Sequence, residues 1–263
     1  MPAAAVFLLD GDRLVPTALA QGPWAAGAQH GGAPAALVAR AIEAVPCDAP
    51  MQVARLTVEL LRPVPLAPLT VDAKVVRPGR KVQLVESVIR ADDTPVVRAV
   101  GLRIRTTSLP LPEGTLDEDA PPPPESARLL VGSAPGAVSE GGFIAAMEMR
   151  AVTGGFEGPG PSTSWFRLRQ PLVEGEEPSP LVRVAAAADF GNGISWVLPF
   201  DRFTSINPDL TVHLARPLEG EWVCLESRTY PQPSGVGMAE TALYDRRGRI
   251  GRSVQSLVHD RRG

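Results

Sequence analysis

The side chains of this sequence that could carry chemistry do not form a motif for covalent catalysis or for a cofactor. The 263 residues include three histidines and two cysteines, Cys47 and Cys224, without the spacing of a redox pair or a zinc site. No Gly-x-Ser-x-Gly nucleophile motif, P-loop or Gly-x-Gly-x-x-Gly motif occurs. The sequence therefore predicts neither a metal nor a cofactor, and carboxylates and amides are left as the groups that could act.

Two amides stand out because the sequence contains an internal repeat. Residues 55–64 and 209–218 align without a gap at a separation of 154 positions, with Leu, Thr, Val, Leu, Arg and Pro matched. The same separation continues through residues 82–104 and 236–258, where apolar residues fall on apolar residues. We interpret the chain as two copies of one domain.

The two copies differ at positions that could form a reactive site. Asn207 falls on Val53 of the first copy, and Gln255 falls on Gly101. Polar groups in a core cost free energy unless they are hydrogen-bonded. Two amides in one of two otherwise similar copies therefore predict one working site, in the second copy, and a counterpart that has only a structural role.

The elements that would position these residues are predicted from apolar periodicity. Residues 35–45 form an alanine-rich run that is apolar on nearly every side, typical of a buried helix, and Pro34 suits its first turn. Asp10-Gly11 between two apolar runs indicates a hairpin. Period-two patterns predict antiparallel strands that must curl around the helix. In the second copy we expect strands at 143–153 and 164–172, a helical stretch at 181–197, and strands at 209–217, 221–229, 237–245 and 250–260.

These patterns predict an α+β chain with two domains. The first spans residues 1–112, a proline-rich linker containing Pro121–Pro124 spans 113–130, and the second spans 131–263.

A formal net charge of −3 gives no general attraction to nucleic acid or to an anionic membrane. The sequence shows no secretory signal and no apolar run of membrane-spanning length, so we expect a cytoplasmic protein without membrane insertion.

Basic residues do cluster near the end of the chain, at 246–249 and 261–262. They are typical either of a solvated turn and a frayed tail or of contact with a phosphate-bearing ligand.

A sheet wrapped around one helix and duplicated in one chain resembles the double hotdog fold, and the chain is similar to the TesB-like acyl-CoA thioesterase II family. The resemblance rests on His30-Gly31-Gly32, Leu60-Leu61-Arg62-Pro63, Asp189, Asn207-Pro208-Asp209 and Ser253-Val254-Gln255. It covers nearly the whole chain. It implies an acyl-CoA substrate and hydrolysis of a fatty acyl-CoA to free fatty acid and CoA. Because hotdog sheets tend to associate, it also implies a possible homodimer.

The family uses an Asp, a Ser or Thr, and a Gln to hold and activate water. Asp189 matches its aspartate and Gln255 its glutamine, whereas Asn207 stands where the family has a hydroxyl. An amide can also donate and accept hydrogen bonds. We expect Asp189 to act as general base while Asn207 and Gln255 orient the water.

The glycine-rich helix starts would bind the substrate in this scheme. Backbone N–H groups at Gly31 and Gly32, or at Gly191 and Gly193, would polarise the thioester carbonyl, and His30 would lie near the ligand.

Each of these residues also has a structural alternative. Asp189 could cap a helix, Gln255 could satisfy a neighbouring strand, and Asn207 before Pro208 indicates a turn. His30 could bond locally. We expect His213 to be structural and His259 to belong to the tail.

Two other functions are weighed against hydrolysis. A hotdog hydratase or dehydratase would need an Asp-x-Asn-Pro-x-His motif, but Ser205 and Leu210 occupy its Asp and His positions. A non-catalytic protein that binds acyl-CoA or acyl carrier protein is permitted by the substitution at Asn207. Incubation with an acyl-CoA distinguishes these functions by the product that forms.

Overall fold

One antiparallel sheet of 14 strands organises the chain. The computed structural model describes residues 5–23, 25, 27–115, 119–130 and 141–262. The strands are β1 (Phe7–Asp10), β2 (Arg13–Pro16), β3 (Met51–Leu60), β4 (Leu69–Arg77), β5 (Val82–Ala91), β6 (Thr94–Arg105), β7 (Arg128–Leu129), β8 (Met147–Thr153), β9 (Ser162–Leu168), β10 (Phe203–Ile206), β11 (Asp209–Leu214), β12 (Val223–Pro231), β13 (Val236–Asp245) and β14 (Gly248–Arg261).

The order across the sheet is β1-β2-β4-β5-β6-β3-β11-β14-β13-β12-β9-β8-β7, and β10 also pairs with β14. The helices are α1 (Gly32–Ala44), α2 (Gly142–Ala146), α3 (Pro180–Ala188) and α4 (Gly191–Ile194), with short 3₁₀ turns at Ala18–Ala20 and Pro124–Ser126.

The strand bounds reproduce the sequence repeat. β4 and β12 begin and end 154 residues apart, and so do β5 and β13. β3 and β11 lie side by side at the centre of the sheet, where Thr57 is directly opposite Thr211, its own counterpart. An approximate two-fold axis therefore passes between these two threonines and relates the first copy to the second.

The core lies between the sheet and two packed helices. In α1 every residue from Gly32 to Ala39 is buried, as is Ile42, which confirms the predicted buried helix. In α3 all residues from Leu181 to Ala188 are buried. α1 and α3 pack against each other, and their many alanines let the two backbones approach closely.

Some predicted boundaries are wrong. The strand expected from Phe143 begins at Met147, because residues 142–146 form α2. Gly142 takes a φ of +69°, which suits glycine, and the N–H of Phe143 donates to the carbonyl of Gln21 (2.9 Å). These contacts with the first copy override the strand pattern.

The strand expected at 164–172 spans Ser162–Leu168, and the helical stretch expected at 181–197 breaks at Asp189 into α3 and α4. The second copy also interrupts the counterpart of β3 at Asn207-Pro208, since proline lacks an N–H for the ladder. The first copy has a register shift between Val53 and Arg55 at the matching place. The domain bounds of 1–112, 113–130 and 131–263 stay a prediction, and residues 131–140 lie outside the described part of the chain.

The contact between Gly101 and Ile42 yields a testable prediction. A Cβ added at Gly101 would lie 2.7 Å from Cγ2 of Ile42, so Gly101→Ala should destabilise the protein by about 1–3 kcal/mol through overpacking. Ile42→Ala should cost about 2–5 kcal/mol through a cavity. We expect the double substitution to cost less than the sum, by at least about 0.5 kcal/mol. Urea denaturation of the four proteins measures this, and strictly additive losses would contradict the contact.

Candidate active site

Asp189 ends α3 and turns its carboxylate toward the start of α1. Its backbone is the C-cap of α3, and the residue is only 8 % exposed. A Cβ at Gly31 would lie 2.8 Å from Oδ2 of Asp189, so glycine is required there for the carboxylate to approach. The carboxylate thus lies at the N-terminus of the 13-residue α1, where the helix dipole favours negative charge.

The structure brings Asp189, Asn207 and Gln255 together. Nδ2 of Asn207 donates to Oδ1 of Asp189 (2.8 Å). Nε2 of Gln255 donates to the same oxygen (3.3 Å) and to the backbone carbonyl of Asp189 (3.2 Å). The amides of Asn207, from the turn before β11, and of Gln255, from β14, therefore meet at one carboxylate oxygen of Asp189 at the end of α3.

Further hydrogen bonds fix the orientation of both amides. Oε1 of Gln255 accepts the backbone N–H of Asn192 in α4 (3.0 Å), so its Nε2 must face Asp189. Nδ2 of Asn207 also donates to the carbonyl of Asp209 (3.2 Å). Because Gln255 is 1 % exposed, these bonds form in a low-dielectric setting where they strongly restrain the side chain.

His30 approaches the other carboxylate oxygen. Its Nδ1 lies 3.0 Å from Oδ2 of Asp189 and 3.1 Å from the N–H of Gly32. An unprotonated Nδ1 would set its lone pair against the carboxylate, so we assign the proton to Nδ1, which donates to Asp189. The N–H of Gly32 then points to the carboxylate as well. The His30 ring stacks on Phe190 with centroids 4.4 Å apart.

These contacts set the protonation state of Asp189. Burial alone would raise the pKa of the carboxyl. The hydrogen bond and electrostatic attraction of His30, with the N–H donors of Asn207 and Gly32, instead hold that pKa below its ordinary value. Asp189 is therefore a carboxylate at neutral pH and can accept a proton.

Buried hydroxyls support the site from behind. Oγ1 of Thr241 would be 2.5 Å from a Cβ at Gly191, and it bonds Ser227 (2.9 Å). Ser195 bonds Thr229 (2.8 Å) and the carbonyl of Gly191. We did not single out these residues from the sequence. Ser227 and Thr229 do give a signal, since they are hydroxyl residues at alternate, buried positions of β12, whereas Ser195 is the C-cap of α4 and gives none.

The remaining predicted residues have mixed outcomes. Gly31, Gly32 and Gly191 border the carboxylate or its amides, whereas a Cβ at Gly193 would face Phe156 (3.8 Å) and none of the site residues. The expectation that His259 belongs to the tail is wrong. It lies in β14, is 8 % exposed, and its Nδ1 is 2.8 Å from Oγ of Ser205, because β10 pairs with the end of β14.

Two arginines of the C-terminal basic cluster have acidic partners. Arg246 pairs with Glu125 and Arg247 with Glu219. Among the described residues, no helix is long and apolar enough to cross a membrane.

Comparison with protein families identifies both halves of the chain. Residues 20–104 match the acyl-CoA thioesterase N-terminal domain, and residues 116–259 match the acyl-CoA thioesterase C-terminal domain. The second match alone covers more than half of the chain. No curated protein matches the sequence.

Solved structures share the fold at low sequence identity. A hot dog protein of unknown function from Alicyclobacillus acidocaldarius has a TM-score of 0.73 at 19 % identity, covering 98 % of this chain and 96 % of its own. A putative thioesterase II from Thermobifida fusca has a TM-score of 0.71 at 17 % identity, covering 98 % of this chain and 96 % of its own. The acyl-CoA thioesterase II TesB2 from Mycobacterium marinum has a TM-score of 0.65 at 15 % identity, covering 90 % of this chain and 91 % of its own. The predicted double hotdog fold is confirmed, and the chain belongs to the acyl-CoA thioesterase family, a family of thioester hydrolases.

Proposed function

We propose that the protein hydrolyses a fatty acyl-CoA to a free fatty acid and CoA by direct attack of water. The observation that carries this proposal is the convergence of Asn207, Gln255 and His30 on the ionised carboxylate of Asp189. A buried carboxylate with oriented amide donors beside it suits general-base activation of a water molecule. No covalent acyl-enzyme intermediate is required.

In this mechanism Asp189 takes one proton from water while the water oxygen attacks the thioester carbonyl carbon. Asn207 and Gln255 orient the water, with Gln255 matching the glutamine of the family and Asn207 standing in place of its Ser or Thr. Collapse of the tetrahedral intermediate breaks the carbon–sulfur bond, and the leaving thiolate takes up the proton. The products are one fatty acid and one CoA thiol.

The start of α1 is the best-supported donor for the developing oxyanion. With the proton on Nδ1 of His30, the N–H of Gly32 donates to the carboxylate of Asp189, and the N–H of Asn192 donates to Oε1 of Gln255. Within the described residues, the N–H of Gly31 makes no hydrogen bond. We therefore assign the polarisation of the carbonyl to Gly31 N–H and the dipole of α1.

Three finer expectations stay predictions from the sequence. These are the fatty nature of the acyl group, the cytoplasmic location and the association of two chains into a homodimer.

Loss of the base should abolish hydrolysis without unfolding the protein. We expect Asp189→Asn to lower kcat by a factor of about 10²–10⁴, because the amide cannot take a proton from water. Release of CoA from dodecanoyl-CoA, followed by loss of the thioester absorbance, measures the rate. Asp201→Asn, at an exposed residue, is the matched control and should keep full activity. Full activity in the Asp189 variant would overturn the assignment of the base.

The contact with His30 predicts a shift in the pH profile. A general base acts only when ionised, and the pKa of Asp189 is held below its ordinary value. We therefore expect kcat/KM to persist through the ordinary Asp range, near about 3.9, with the acid limb below it. Removing the donor in His30→Ala should raise the pKa of Asp189 and move that limb to higher pH. His30→Asn keeps an N–H donor near the position of Nδ1 and should move it back. Identical acid limbs in all three proteins would contradict the role of His30.

A further inference from the structure

A cavity lies between the last turn of α1 and the first turn of α3. Its volume is about 570 Å³. Val53, the counterpart of Asn207, lies in its wall. Leu214 and Leu218, the counterparts of Leu60 and Val64, line it as well. The cavity is thus bounded by the end of α1 and the start of α3, as the Asp189 site is bounded by the end of α3 and the start of α1.

A carboxylate also lines this cavity, although at the separation of 154 residues Asp189 falls on Ala35 and not on Glu43. Glu43 lies in the last turn of α1 and accepts a hydrogen bond from Oγ of Ser179, the N-cap of α3. Asp189 likewise reaches from the end of α3 to the start of α1. Each helix therefore ends in a carboxylate that meets the first residues of the other helix.

The groups that would activate water are missing from this cavity. Val53 replaces the amide of Asn207 and Gly101 replaces that of Gln255. The space beside Gly101 is filled by Ile42, whose Cγ2 would be 2.7 Å from an added Cβ. Pro180 at the start of α3 has no N–H to offer an oxyanion. This cavity therefore lacks the two amides and the helix-start N–H that the proposed mechanism uses at Asp189.

The lining combines apolar walls with one buried cation. Arg103 is 4 % exposed, and its Nη1 donates to the carbonyl of Val45 (2.9 Å) and to Oε1 of Gln83 (3.2 Å). Leu181 and Pro217 are among the apolar residues that line the same cavity. A volume of roughly 300–1,000 Å³ with apolar walls and a few polar groups is typical of a small-molecule site. The carboxylate of Glu43 lines the same cavity and interacts electrostatically with Arg103. The combination suits an apolar chain with a polar head group.

We propose that this cavity is a second acyl-binding site, which takes a fatty acyl group without hydrolysing it. The existence of the site rests on the cavity and its lining, whereas the acyl nature of the ligand rests on the proposed function. The head group could be a free carboxylate beside Arg103 or the thioester of an acyl-CoA. Both share the apolar chain that contacts Val53, Leu181 and Leu218.

Binding stoichiometry tests the proposal independently of hydrolysis. The full-length protein is titrated with S-dodecyl-CoA, a thioether that cannot be hydrolysed, and separately with dodecanoic acid, and bound ligand is counted by native mass spectrometry. We expect two ligands per chain for at least one probe. Val53→Phe and Ala49→Trp, which fill the cavity from two sides, should each bind one ligand and keep kcat/KM within about twofold, since neither residue contacts Asp189. Ala49 is half-buried, so its variant guards against misfolding of the Val53 variant.

The exposed Cys47 lines the cavity and reports on the same site. Burial raises the pKa of the Cys224 thiol, which leaves Cys47 as the reactive cysteine. Dodecanoic acid should slow alkylation of Cys47 by iodoacetamide.

One ligand per chain in the wild type and in both filled variants, with unprotected Cys47, would overturn the proposal. Two bound ligands without any hydrolysis would support this site while refuting the proposed function. If two ligands bind per chain with S-dodecyl-CoA but not with dodecanoic acid, the ligand of the cavity is an acyl-CoA thioester. If two bind with dodecanoic acid but not with S-dodecyl-CoA, it is a free fatty acid.

Discussion

The arrangement of the site depends on burying one negative charge, that of Asp189, between two helices. A buried carboxylate without partners is unfavourable by several kcal/mol, and here burial alone would raise the pKa of Asp189. The charge is kept because Asn207, Gln255, His30 and the N-terminus of α1 all present donors to it. Gly31 is part of the same constraint, because a side chain at that position would collide with the carboxylate.

This constraint explains why both copies of the domain are needed. The proposed base and the two amides beside it come from the second copy, while His30 and the glycines at the start of α1 come from the first. β3 and β11 join the copies through Thr57 and Thr211, which lie on the approximate axis. Neither copy alone contains a complete site. The low pKa also limits the chemistry, since Asp189 is always ionised at neutral pH but is a weaker base than a carboxylate with a raised pKa.

Much of the fold and part of the site were predictable from the sequence. The repeat predicted the strands because both copies keep one register, and it predicted Asn207 and Gln255 because polar residues replaced Val53 and Gly101. α2 was not predictable, since its position depends on a hydrogen bond to Gln21 in the other copy. The pairing of His259 with Ser205 and that of Glu43 with Ser179 are long-range contacts, 54 and 136 residues apart, that no local pattern signals. The tertiary fold decides such pairs.

The most direct test of the central claim asks where the oxygen of water goes in one turnover. Protein in excess is mixed with dodecanoyl-CoA in H₂¹⁸O, and both the fatty acid and the peptide that contains Asp189 are analysed by mass spectrometry. If Asp189 is a base that activates water, the fatty acid gains one ¹⁸O and the peptide gains none. A fatty acid without ¹⁸O, together with ¹⁸O in the Asp189 carboxylate, would show that Asp189 attacks the thioester itself and would contradict the account.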